Sequence, residues 1–525
     1  MATSKVFCAT PLGIDAETVT VEVDLRRRGI PAFSVVGLPD TSIREAKERV
    51  MAAIRNCGME FPSAKITVNL APANLHKEGS EFDLPIACGI LAQGGHIKEE
   101  RSKAVFKEYF LVGELSLDGS LRPINGAISV ALTAKAGGMR GIVLPQANAE
   151  EAALISGLDV IGCENLNQVL HWINGDCVIE PRKLNEQELL SVLNGAAHKK
   201  NSVELSDIYG NSLAKKALEV VAAGGHNLIM LGPPGVGKTL LARALAGLLP
   251  PMTMEEILEL TKIYSVSGNS RGNGHSRLVV DRPFRSPHHS ASHIALIGGG
   301  AKAQPGEITL AHYGVLFLDE MAEFPKNVLE ALRQPLEDGS VTVSRAAAKH
   351  SYPSRFILVG ASNPCPCGWW GSRDRDCLCT SYQVTKYRLK LSGPMLDRLD
   401  LHVDVSAAEF RQELGKQQPL PTETSAKVRE RVIRARQVQN SRFGSATKLN
   451  SHMGPAEIKA YCKIDQISKD LLEGVTKRFA LSIRSHSKIL KVARTIADLI
   501  GEAEINSSHI SSAVQLRSLD RLPNT

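Results

Sequence analysis

The stretch Gly232-Pro233-Pro234-Gly235-Val236-Gly237-Lys238-Thr239 constrains this chain more than any other. It follows a short apolar run with strand character, His226–Leu231, and runs through Leu240 into residues with helical spacing up to Leu249. The pattern G-x4-G-K-[ST] between a strand and a helix is that of a phosphate-binding loop. Glycines let backbone N–H groups curl around phosphate oxygens, and the following helix adds its positive end. Lys238 supplies a mobile charge for terminal phosphates, and the Thr239 hydroxyl suits a magnesium ion. Gly232 to Leu240 is therefore the expected nucleotide cradle.

Such a loop needs a carboxylate on an adjacent strand. Gly314 to Glu320 (GVLFLDE) provides one, an apolar strand ending in Asp319-Glu320. Asp319 is expected to hold magnesium with Thr239, and Glu320 to deprotonate the attacking water. A further strand, Arg355 to Ala361, ends in Ser362-Asn363-Pro364. The Asn363 amide can touch the γ-phosphate and the lytic water; the competing reading is an Asn-Pro turn. From about 205 to 406, strands and helices alternate, which predicts a parallel sheet flanked by helices.

A chain of 525 residues exceeds one compact core. Hydrophobic residues at 43% and charged ones at 22% exclude a mostly disordered polymer. A net charge of +7 is mild for this length, so a nucleic-acid partner would need clustered basic residues. No apolar stretch is long enough to span a bilayer, and Met1 to Ala16 does not read as a secretory signal. Cysteines are sparse apart from one cluster, which argues for reduced thiols and a cytoplasmic location.

Five segments are expected. Residues 1–181 mix alternating and helical runs as a separate α+β domain. Within it Thr18–Val23 and Ala64–Asn69 read as strands and Ile43–Cys57 as a helix ending at Gly58. Asp118-Gly119 reads as a hairpin turn between Tyr109–Leu115 and Arg122–Ile124. Residues 182–204 are a polar linker with a short helix, 205–406 the nucleotide-binding core, 407–454 a helical connection, and 455–525 a helical domain.

The order of phosphate loop, Asp-Glu strand, Asn strand tip, arginine and C-terminal helices resembles the AAA+ ATPases. Arg282-Pro283-Phe284-Arg285-Ser286-Pro287-His288-His289 and Gly306-Glu307-Ile308-Thr309-Leu310-Ala311-His312 narrow this to the magnesium-chelatase and MCM branch. The extra N-terminal domain narrows it further. Nearly the whole chain resembles the ComM (YifB) family of magnesium-chelatase-like ATPases, ring-shaped DNA motors that promote branch migration in natural transformation.

That resemblance implies an AAA+ module with an N-terminal Lon-protease-like domain of ribosomal S5-like fold and a C-terminal helical lid. It implies ATP, Mg2+, a homo-hexamer, and single-stranded or branched DNA as partner. Arg398, in Ser392–Asp400, would be the arginine finger reaching a neighbour's ATP, and Arg484 the lid's second sensor. Ile208, Tyr209 and Gly210 would border the adenine. Lon enzymes carry a serine where this chain has Glu81, in Lys77-Glu78-Gly79-Ser80-Glu81, and a lysine where it has Ile128. A Ser-Lys dyad cannot form, so the domain is expected to be non-proteolytic.

Cys365-Pro366-Cys367 and Cys377-Leu378-Cys379 are separated by nine residues. Four thiolates in one loop suit tetrahedral zinc, although C-x-C is tighter than the usual spacing; reduced, unligated thiols are the other reading. Gly339 to Lys349 looks like a β-hairpin, with Arg345 and Lys349 as phosphate contacts for DNA; a solvated loop is the other reading. Lys386, Arg388 and Lys390 form a second alternating basic run that would face DNA or a neighbour. The competing class of function is a protein-remodelling or metal-chelatase motor. DNA stimulation of ATP turnover separates the two.

Overall fold

The computed structural model describes residues 3–27, 30–75, 77, 79–183, 203–267, 271–272, 275–276, 278–300, 303–344, 349–372, 375–391, 393–406, 423–479 and 481–521. The expected linker helix within 182–204, Glu78 and Arg345 lie outside them. The chain divides into two compact units, Met1–Ala196 with Thr253–Val280, and Ala197–Met252 with Asp281–Thr525. Thr253–Val280 falls inside the stretch assigned above to the nucleotide-binding core, yet it folds with the first unit. Its helix Met254–Ser267 is fastened there by Gly126 N–H donating to Ser265 Oγ at 2.9 Å and by Lys262 Nζ 3.3 Å from Asp15.

The first unit is built on seven strands: β1 Ser4–Leu12, β2 Asp15–Arg26, β3 Ala32–Val36, β4 Lys65–Ala71, β5 Tyr109–Leu111, β6 Gly141–Pro145 and β7 Asp159–Cys163. They lie in the order β3-β4-β2-β1-β5-β6-β7. Along β2 the inward set Val19, Val21, Val23 and Leu25 is buried while the intervening residues are not, the period-2 signature of a sheet covered on one face. Helices Asp83–Gly94 and Ala127–Ala136 pack on β1 and β2. The Asp118-Gly119 turn does make a hairpin, but between Glu114–Leu115 and Leu121–Arg122. Tyr109–Leu111, expected to run on into that hairpin, belongs instead to the main sheet.

The second unit centres on five strands: β8 Leu228–Leu231, β9 Phe284–Arg285, β10 Val315–Leu318, β13 Ile357–Ser362 and β14 Leu401–Asp404, in the order β9-β10-β13-β8-β14. All four pairings are parallel. β10 and β13 are buried along their whole length, the continuous apolar run that helices on both faces demand. Between them in sequence, β11 Ser340–Ser344 and β12 Lys349–Pro353 pair antiparallel as the expected hairpin, with β12 extending past its predicted end at Lys349. Helices Ser212–Gly224, Lys238–Leu248, Ser425–Phe443 and Ile483–Ile500 share one apolar cluster with the sheet. Pro455–Tyr461, Gln466–Phe479 and Ser507–Gln515 complete the C-terminal helices. No helix among the described residues is long and apolar enough to cross a membrane.

Candidate nucleotide site

Parallel register brings three strand ends to one edge. Leu231 of β8 pairs with Ser362 of β13, and Leu318 of β10 pairs with Gly360 of β13. The phosphate loop, Asp319-Glu320 and Asn363 therefore leave the sheet side by side, at the carboxyl ends where open α/β sheets bind ligands. Gly232 is held against the sheet: a Cβ there would stand 2.2 Å from the Val405 carbonyl oxygen. Gly235 and Gly237 have φ of +78° and +90°, and nothing lies within 4 Å of where their Cβ would be. That is a backbone free to turn its N–H groups toward an anion.

Lys238, 8% exposed, opens the helix Lys238–Leu248. Its ammonium donates to the Gly232 carbonyl at 2.6 Å, the Pro233 carbonyl at 2.8 Å and Asn363 Oδ1 at 3.1 Å. Burial pulls its pKa down to about 8, against the opposing pull of Asp319 and Glu320. Thr239 Oγ1 donates to Asp319 Oδ2 at 2.9 Å. Glu320 sits at φ 50°, a left-handed conformation that is strained for a non-glycine residue. His289 Nδ1 lies 3.6 Å from Glu320 Oε2, and its ring lies tilted at 34° to that of His288 with centroids 4.1 Å apart. A His pair ahead of the Asp-Glu strand is the sequence signal for this contact, and it does not by itself indicate a role.

These groups fit a magnesium–nucleotide. A hydroxyl and a carboxylate 2.9 Å apart are hard oxygen donors, and the glycine cradle and lysine suit phosphates. Ile208 is buried in the same apolar cluster as Leu241, Tyr209 is 41% exposed, and Gly210 has φ 64°.

Arg398 and Arg484 stand together elsewhere in this unit. They line a cleft of about 750 Å³ with Arg355, Lys488 and Lys491, and none of Gly232–Leu240 is among its described lining. Arg398 Nη1 donates to the Pro394 carbonyl at 2.6 Å and Nη2 pairs with Glu337. Arg484 is exposed, with Nη1 4.0 Å from Asp397 Oδ2. One helical turn on, Lys488 Nζ is 3.0 Å from Asp400 Oδ1, and Arg517 Nη1 donates to the Asp400 carbonyl at 2.7 Å. The loop carrying Arg398 is thereby tied to the helix carrying Arg484.

The four cysteine sulfurs converge within 4.8 Å of one another. The alternating basic run Lys386, Arg388 and Lys390 falls at the end of a helix. Lys386 and Arg388 lie on the helix Ser381–Arg388, which is opened by a capping box of Thr380 and Gln383, with Lys390 just beyond its end. Arg388 covers the Trp370 ring at 4.0 Å and Lys390 pairs with Glu323 at 2.8 Å, so both cations are engaged within the chain. Lys349 opens β12.

In the first unit, Ser80 Oγ donates to Glu114, and Ile128 is fully buried. Glu81 is buried and accepts from Thr10 Oγ1 at 2.7 Å. Burial, reinforced by Asp40 and Asp83, pushes its carboxyl up to about 7. A carboxyl whose folded pKa is raised favours folding when protonated. Its contribution is therefore lost as pH rises from the ordinary carboxylate range to about 7, and is flat above that. Glu81→Gln is expected to stabilise this unit by roughly 2–3 kcal/mol at pH 8 and by almost nothing near pH 4. Urea unfolding at both pH values, followed by hydrogen exchange in Asp83–Gly94, checks this; a pH-independent difference would contradict it.

Family profiles match most of the chain. "Magnesium chelatase, subunit ChlI" matches residues 204–413, "Subunit ChlI of Mg-chelatase" 21–148, and "Magnesium chelatase, subunit ChlI C-terminal" 422–517. The uncharacterized protein YifB of Escherichia coli K12 is 43% identical over 99% of this chain and 98% of its own length. The competence protein ComM of Haemophilus influenzae is 42% identical over 99% of each. The DNA replication licensing factor MCM7 of Arabidopsis thaliana is 21% identical over 73% of this chain and 52% of its own.

Proposed function

The chain belongs to the YifB/ComM family of magnesium-chelatase-like AAA+ proteins, and on that premise we propose that it is a cytoplasmic, ATP-hydrolysing ring motor that promotes DNA branch migration during natural transformation. The observation that carries the ATPase half is the convergence of Lys238, Thr239, Asp319, Glu320 and Asn363 at one sheet edge. Thr239 and Asp319 would hold magnesium, which offsets charge on the phosphates. Lys238 exchanges its loop carbonyls for phosphate oxygens. Glu320 takes the proton of the attacking water, His289 steadies that carboxylate, and Asn363 orients the water. Ile208, Tyr209 and Gly210 border the base.

Arg398 and Arg484 share a cleft that the phosphate loop does not line. Arg398 is read as the arginine finger that reaches a neighbouring subunit's nucleotide, and Arg484 as the lid's second sensor, in a hexameric ring. The Asp400–Lys488 pair keeps the two in register. The N-terminal domain, Lon-like in plan, is non-proteolytic: its dyad positions hold a buried carboxyl and a buried isoleucine. The cysteine cluster is read as a structural zinc site.

The DNA half rests on kinship with a competence protein and on the hairpin β11–β12, whose second strand begins at Lys349; Arg345 follows the first strand in sequence. The hairpin leads directly into β13 and Asn363, so it is coupled in sequence to the γ-phosphate sensor. Arg345→Ala is expected to keep near-normal basal ATP turnover, lose most DNA stimulation and fail to migrate branched DNA. Its binding to duplex should lose about one unit of salt slope. Branch-migration assays on synthetic junctions, with binding measured across a salt series, test this. Normal migration by the variant at physiological salt would remove the hairpin as the DNA grip.

A further inference from the structure

The cysteine loop lies against the phosphate loop. Gly368, between the two C-x-C pairs, has φ +84°, and a Cβ there would stand 2.7 Å from Pro234 Cδ of the phosphate loop and 3.9 Å from Asn363 Cγ. Asn363 in turn accepts from Lys238, and Cys365 follows it by two residues. Only a residue without a side chain lets the cysteine loop approach this closely, and only a left-handed turn aims it there.

The sulfur geometry fits one ion. Cys365 to Cys367 is 3.4 Å, Cys365 to Cys377 is 3.7 Å and Cys367 to Cys377 is 3.6 Å. Four thiolates bound tetrahedrally at about 2.3 Å stand about 3.8 Å apart. The separations are far longer than the ~2.05 Å of a disulfide bond. An iron–sulfur cluster spreads its thiolates over several metal atoms, whereas these four lie within 4.8 Å of one another. Cys365 is completely buried and accepts from the Trp370 N–H at 3.3 Å. A backbone donor of that kind stabilises a metal-bound thiolate. Gly368 N–H also donates to the Cys365 carbonyl at 3.0 Å, and the Arg388 guanidinium caps Trp370. Four protein ligands leave no open position for a reacting water, so a metal here is structural.

We propose that Cys365, Cys367, Cys377 and Cys379 hold one Zn2+ and that the loop it fixes is a brace, pressing Gly368 on Pro234 so that the phosphate loop and Asn363 keep their productive spacing. Loss of the ion releases the four thiols from one another, and the wall beside Pro234 and Asn363 loosens. The residues of the loop act through Pro234 and Asn363; they are positioning residues, and no proton or electron passes through the metal. The brace rests on the ATPase reading above, whereas the zinc site does not.

The test uses the full chain in three forms: wild type, Cys377→Ser with Cys379→Ser, and Gly368→Ala. Zinc per chain is measured by elemental analysis after dialysis, ATP turnover by phosphate release, and affinity with a fluorescent ATP analogue. Wild type is expected to carry one zinc per chain and the double serine variant none. Both variants should turn ATP over about tenfold to a hundredfold more slowly, Gly368→Ala while keeping its zinc. Wild-type protein that hydrolyses ATP but is free of zinc overturns the metal site. A Gly368→Ala variant with full zinc and wild-type turnover overturns the brace and leaves the site standing. Should the serine variant fail to fold, zinc in the wild type and the behaviour of Gly368→Ala still decide both points. Zinc-loaded wild type without ATP turnover on any DNA would instead sink the ATPase reading. The brace is then judged by analogue affinity, which Gly368→Ala must weaken for the brace to survive.

Discussion

Lys238→Ala is expected to abolish ATP turnover, by on the order of a hundredfold or more, because it removes a cation held within the phosphate loop. The side chain is committed to that loop: its ammonium is shared among the Gly232 and Pro233 carbonyls and Asn363. Alanine loses the charge and also leaves two carbonyls and an amide oxygen turned toward incoming phosphates. Nucleotide affinity should therefore fall together with turnover. The fold should survive, since the helix Lys238–Leu248 buries Leu241, Ala242, Ala244, Leu245 and Leu248 independently of the lysine. Phosphate release and equilibrium binding of a labelled nucleotide check both effects. Turnover within a fewfold of wild type would remove Lys238 from the site.

Glu320→Gln is expected to separate binding from chemistry. The glutamate is neither a lining group of the phosphate loop nor the partner of Thr239, which is Asp319. Its amide analogue keeps size and hydrogen-bonding reach but cannot accept a proton. Loss of a general base costs about 10²–10⁴-fold. Nucleotide affinity should hold, because Lys238, Thr239 and Asp319 remain. In a ring whose subunits share nucleotide sites, ATP that binds without being cleaved should trap the assembled form. Turnover, nucleotide affinity and sedimentation in ATP check the three parts. Near wild-type hydrolysis would show that another group takes the proton.

What could be read in advance follows the range of the interactions. The phosphate loop, Asp319-Glu320 and Asn363 each mark a strand end, and a strand end is written in a few consecutive residues. Parallel pairing then brings them together without further information. The hairpin at β11–β12 was legible for the same reason. Lys386, Arg388 and Lys390 alternate in charge, and that spacing alone does not say which element carries them. The capping box of Thr380 with Gln383 was the better signal, and it opens a helix. Contacts made through space were not legible. Nothing near Thr253 says that the following helix will pack with the first unit. Nothing near Gly368 says that it will meet Pro234, and nothing near His289 that it will face Glu320. Arg398 and Arg484 are far apart in sequence, and only folding brings them to one cleft.

The central claim is that this nucleotide site drives a motor on DNA. ATP turnover by the full chain, measured alone and then with single-stranded, duplex and branched DNA, tests it most directly. The expected result is slow basal turnover that rises severalfold with single-stranded and branched DNA and weakens as salt is raised. Brisk turnover that no DNA changes at any salt concentration would contradict the claim and favour a protein-remodelling or metal-chelatase motor.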